Sequence, residues 1–262
     1  MNVFDALLLG VLQGLAEWLP ISSEGLTTLV VKTVYGQSFE RALGTSIWLH
    51  VGTLLAACLY FRRDLASMVL GLFEEGQGRK LLKFLTLATL ASAATALPAL
   101  TLLRQVVVPD SLFTISIGLL ILSVSLLSKT IKAKSNRTEV NYQAAVIVGL
   151  VQGLSIIPGI SRSGVTIAAF LILGFGLFDS LRLSYLLSIP AIAAAQVALP
   201  AFLGFTHVEF ELVAGAAAAM VVGLATIGFM LKASLKTEFR AFTAAAGGLI
   251  FAAGLLLLYL GG

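Results

Sequence analysis

Two strings, LPISSEG at 19–25 and PGISRSG at 158–164, hold most of the side chains in this sequence that suit phosphate chemistry. Ser22, Ser23, Ser161 and Ser163 carry hydroxyls that donate to phosphate oxygens or attack phosphorus. Arg162 supplies a planar, permanently charged fork matched to phosphate geometry. Glu17 follows Gln13 by four residues, so both project from one helix face, and Glu24 stands beside the first serine pair. Proline, glycine and serine in each string stop one helix and start another. At such a restart the free backbone N–H groups and the positive helix end favour an anion. Together these residues read as a phosphate site. Each also has a structural reading: Ser22, Ser161 and Ser163 as N-caps, Thr27 and Thr166 as caps or packing residues, Arg162 with Glu17 as an ion pair. His50, the other ionisable group in an apolar run, is either a hydrogen-bond partner of a neighbouring helix or part of the site.

Composition gives the setting. Hydrophobic residues make up 58% of the 262 and charged residues 11%, with a mean hydropathy of +1.01, whereas a soluble domain carries about a quarter charged residues. Lipid is the solvent that such a chain requires. No charged n-region, short apolar core and small-residue cleavage site opens the sequence, so no removable signal peptide is expected. The single cysteine, Cys58, excludes an intrachain disulfide and argues against a thiolate metal cluster. His50 and His207 are far apart and show no metal-ligand spacing. The net charge of +4 is spread between apolar runs and is not a nucleic-acid footprint.

Six apolar runs, near 44–61, 81–103, 111–128, 183–204, 211–231 and 241–260, approach the ~20 residues that cross a bilayer. Two more, 3–35 and 142–178, contain the two strings. Each reads as a re-entrant hairpin of two half-helices, with a kinked spanning helix as the alternative. Residues 10–27 slide by 139 positions onto 149–166 without a gap, with eight identities in eighteen. The expected fold is therefore an all-α integral membrane protein, a single domain built as an inverted repeat of two halves, 1–130 and 140–262. Thirteen basic residues, among them Arg62, Arg79, Lys132 and Lys232, fall on one side, against Lys32, Arg41 and Arg104 on the other. The positive-inside rule then puts both termini outside and the basic loop 129–137 in the cytoplasm, near anionic headgroups.

QGLAEWLPISSEG and PGISRSGVT resemble the two signatures of the undecaprenyl-diphosphate phosphatase family, also called the bacitracin-resistance protein, and the likeness covers nearly the whole chain. The resemblance implies a plasma-membrane enzyme that removes the terminal phosphate from a polyprenyl diphosphate. It maps the family's first motif onto Gln13, Glu17, Ser22 and Ser23, and its arginine onto Arg162, flanked by Ser161, Ser163 and Thr166. Many bacterial members have Ser-Gly-His where this chain has Glu24-Gly25-Leu26, so the motif histidine is absent. The first motif is similar to archaeal versions.

On this basis Ser23 is the expected nucleophile, Glu17 the base or the holder of a divalent cation (Mg2+ or Ca2+), and His50 the rival base. Arg162, Ser22, Ser161, Ser163, Thr166, Gln13 and Glu24 are expected around the phosphates, and the prenyl chain in lipid between helices. The competing expectation is a flippase or transporter for a polyprenyl phosphate, because inverted repeats with broken helices are also transporter architecture. An ion-coupled solute carrier is a third reading.

Overall fold

The computed structural model describes residues 1–103, 139–157, 160–203 and 210–235. The expected spans 111–128 and 241–260 and the loop 129–137 lie outside the described residues, as does His207. Among the described residues every regular element is helical. In chain order these are α1 (Val3–Ala16), α2 (Ser23–Thr33), α3 (Phe39–Tyr60), α4 (Arg62–Leu70), α5 (Gln77–Leu103), α6 (Tyr142–Gly153) with a 3-10 turn at Leu154–Ile156, α7 (Arg162–Ile172), α8 (Leu177–Leu203) and α9 (Glu211–Ala233). Four of them, α3, α5, α8 and α9, are long and apolar enough to cross a membrane. Exposed side chains such as Leu97, Val197, Val221 and Phe229 suit a surface solvated by lipid.

The interrupted stretches each form two short helices with a break between them. The breaks follow from local chemistry. After α1, Trp18-Leu19-Pro20 ends the helical ladder and Ser22 restarts it, its Oγ accepting from the Gly25 N–H at 3.3 Å. In the second stretch Ser161 does the same for Gly164 at 3.1 Å. Both helices that follow end near a glycine of positive φ, Gly36 (62°) and Gly174 (87°), where a side chain would be strained. The outer ends are capped as well, α1 by an Asn2–Asp5 capping box and α6 by Asn141.

Small residues set how these helices meet. Gly10 and Gly14 of α1 lie against the backbone at Gly215 and Ala219 of α9, and a β-carbon at either glycine would collide with it. Gly149 and Gly153 of α6 meet Ala88 and Ser92 of α5 in the same way. There Ser92 Oγ also donates to Gly149 O at 3.0 Å, and Thr95 Oγ1 to Leu150 O at 2.8 Å. The α9 helix packs along both α1 and α3, while α8 lies beside α3 and α7. The buried core runs beneath the two breaks, where Trp18 meets Tyr185 edge-on at 5.0 Å and Phe170 packs between Phe84 and Phe175.

Candidate active site

The N-termini of α2 and α7 open onto one cavity of about 260 Å³. Ser22 caps α2 and Ser161 caps α7; one residue later, Ser23 and Arg162 occupy the first position of each helix. Glu17, the C-cap of α1, comes from the other side of the first break and is 4% exposed. Its Oε1 takes the Arg162 Nη2 at 2.5 Å. Its Oε2 accepts from Gln13 Nε2 at 3.0 Å and from Ser23 Oγ at 2.5 Å, and faces His50 Nε2 at 3.1 Å. One carboxylate thus gathers the hydroxyl, the guanidinium, the imidazole and an amide, so that the cost of burying its charge is offset by full pairing.

His50 reaches this cluster from α3. Its Nδ1 lies 2.7 Å from the Ser46 carbonyl oxygen and donates there, while Nε2 turns to Glu17 Oε2, which also can only accept. Ser23 Oγ is 3.5 Å from Nε2, longer than a normal hydrogen bond, against 2.5 Å to Glu17. Arg162 is held at a second point by the Ser184 carbonyl, which accepts from Nη1 at 3.2 Å.

The second break is tied to the first. Ser161 Oγ donates to Ile21 O at 2.8 Å, Ser163 Oγ to Leu19 O at 2.7 Å, and Tyr185 Oη to Trp18 O at 2.5 Å. Carbonyls that lost their helical partners at the first break are therefore satisfied by the second half of the chain. Ser22, Glu24, Ser161 and Ser163 line the cavity with Glu17, Ser23, His50 and Arg162.

Two of the expected phosphate ligands stand elsewhere. Gln13 is fully buried off the cavity wall, with Nε2 on Glu17 and Oε1 accepting from Thr27 at 3.3 Å, so it holds the carboxylate in place. Thr166, equally buried, donates within α7 to Arg162 O at 2.9 Å and meets Ser184 Oγ at 2.6 Å. The residues also do not form a resident cation cage. Both oxygens of Glu17 are taken, and among the described residues no three His, Cys, Asp or Glu side chains converge.

Sequence reasoning missed Tyr185, Ser184, Gln152 and Gln196. The signal for them was polar residues within apolar runs, since a hydroxyl or amide in a spanning helix needs a partner. Gln196 of α8 donates to Ile47 O of α3 at 2.5 Å. Gln152 Nε2 donates to Ser92 Oγ at 2.8 Å.

These features define a helical membrane protein with a buried serine–carboxylate–guanidinium site at two helix ends. The chain belongs to the family described as Bacitracin resistance protein BacA, whose model matches residues 6–249. It is similar to the undecaprenyl-diphosphatase of Methanococcoides burtonii, 36% identical over 92% of this chain and 94% of that protein. The undecaprenyl-diphosphatase of Haloarcula marismortui is 36% identical over 97% and 98% of the two chains, and that of Methanothrix thermoacetophila 34% over 92% and 93%.

Proposed function

We propose that this chain is a polyprenyl-diphosphate phosphatase of the undecaprenyl type, releasing the terminal phosphate and leaving the lipid monophosphate. The observation that carries it is the Ser23 hydroxyl held at 2.5 Å on a buried carboxylate, with Arg162 on the same carboxylate and two helix N-termini on the same cavity. The relatives' shared name supports hydrolysis over transport of a polyprenyl phosphate.

In this reading the terminal phosphate enters between the ends of α2 and α7, and Arg162 turns from Glu17 to the phosphate oxygens. Ser23 Oγ gives its proton to Glu17 and attacks the terminal phosphorus. The bond from that phosphorus to the bridging oxygen breaks, and the prenyl monophosphate departs with the electron pair. Water then attacks the phosphoserine, giving inorganic phosphate and restoring the Ser23 hydroxyl. Glu17 serves as base because it receives the hydroxyl directly, while His50 neighbours both and buffers the carboxylate's charge. A divalent cation, Mg2+ or Ca2+, enters the proposal only as a companion of the diphosphate.

The wider architecture belongs to the same proposal: six spans and two re-entrant pairs in the plasma membrane, as inverted halves 1–130 and 140–262, with both termini outside. The matching glycine contacts of α1 with α9 and of α6 with α5 support the repeat. The test is phosphate release from a polyprenyl diphosphate by purified protein in detergent, together with phosphate trapped on Ser23. A wild type that releases none, or Ser23→Ala at full rate, ends the serine mechanism.

A further inference from the structure

The two halves are alike where α1 meets α9 and α6 meets α5, but not where the next helices meet. The glycine contacts fix which positions correspond: Gly215 with Ala88, and Ala219 with Ser92. In the first seam α9 packs closely along α3. Gly52 lies against Ala216 there, and Gly223 fits beside Thr53 and Ala56, its missing β-carbon only 3.3 Å from that of Ala56. The sequence repeat carries Gly52, Thr53 and Ala56 onto Ala191, Ile192 and Ala195 of α8. The corresponding positions on α5 are Thr89 and Ala96. All five line the cavity. Among the described residues the α5/α8 seam is thus open where the α3/α9 seam is shut.

Its residues supply the reason. Where the closed seam has Gly52 and Gly223, the open one carries Ala191 and Ala96, with Ile192 in place of Thr53 and Thr89 in place of Ala216. Each of its helices also has a proline at cavity level, Pro98 in α5 and Pro190 in α8, whereas α3 and α9 have none. A proline inside a helix removes one backbone bond and bends it. The open seam is apolar at Ala96, Leu100, Ile192 and Ala195, and it runs without interruption into the polar ends of α2 and α7. Gln152, 2% exposed and on the cavity wall, has an Oε1 with no hydrogen-bond partner among the described residues, an acceptor suited to a donor at the polar head of a ligand and not to its apolar tail.

We infer that the α5/α8 seam holds the isoprene units that follow the first one of the substrate, so that the lipid enters the site sideways between these helices and not between α3 and α9. This rests on the phosphatase reading, which supplies one amphiphile with a charged head and an apolar tail to match one cavity with a polar end and an apolar arm.

The test is a polyprenyl diphosphate bearing a photoreactive diazirine on its second isoprene unit. Its hydrolysis by the wild type checks the phosphatase reading separately. Labelling is expected on α5 and α8 between Thr89 and Ala198; labelling confined to α3 and α9 overturns the seam. Ala96→Phe and Ala195→Phe give a second measurement. They should lower kcat/KM for the long-chain lipid by roughly tenfold or more, with dimethylallyl diphosphate turned over within about threefold of the wild type. Equal loss on both substrates, or on neither, rejects the seam as the tail site.

Discussion

Glu17 accepts or faces four side chains through two oxygens, which makes it the residue on which the site is assembled. Replacing it by glutamine keeps the size but removes the proton acceptor and turns an amide N–H toward groups that are themselves donors. Glu17→Gln is expected to lower kcat by about a hundredfold or more, within the usual range for a lost general base. His50→Ala should lose much less, because Nε2 stands 3.5 Å from the hydroxyl. Steady-state rates of the two variants check this, and the opposite ranking makes His50 the base. Arg162 binds Glu17 and the Ser184 carbonyl through different nitrogens, a geometry that only a fork provides. Arg162→Ala should abolish turnover and Arg162→Lys recover little of it; a lysine variant within a fewfold of the parent removes Arg162 from direct phosphate contact.

At the scale of the helices, Ser161 has two tasks that the wild-type hydroxyl performs at once, capping α7 and bonding to Ile21 O. Ser161→Ala should cost about 1–2 kcal/mol, read as a lower melting temperature in detergent. Gly14→Ala should cost about 1–3 kcal/mol, because the new methyl would sit 2.9 Å from the Ala219 oxygen and the Gly223 nitrogen. Gly228→Ala is the control, with only the Tyr60 ring nearby at 3.5 Å, and should leave the melting temperature unchanged. The breaks and the repeated glycines were legible in the sequence because Pro, Gly and Ser act through the backbone at their own positions. The partners of Gln13 and Thr166 were not. Spacing places a side chain on a face of its helix, but what lies across from that face depends on packing between distant segments. The same limit hid Tyr185, whose hydroxyl matters only because α8 passes beneath the Trp18 carbonyl.

For the whole molecule, the proposed orientation puts the basic loop in the cytoplasm. Ser135→Cys in a Cys58→Ser background should resist an impermeant thiol reagent added outside intact cells and react once the membrane is opened. Labelling from outside reverses the orientation and the side of substrate entry. On the same proposed face, Arg182 of α8 pairs with Asp64 of α4, so one ion pair joins the two halves away from the cavity. The placement of Ser23 and Arg162, each the first residue of its helix, has a consequence for ancestry. If the halves arose by duplication, an ancestral homodimer would have presented the same residue twice across its axis. On that premise divergence would have let one copy keep the hydroxyl while the other took the guanidinium, a specialisation that fusion into one chain makes permanent. A chain built from two first halves would carry two nucleophiles and no cation to draw the phosphate in.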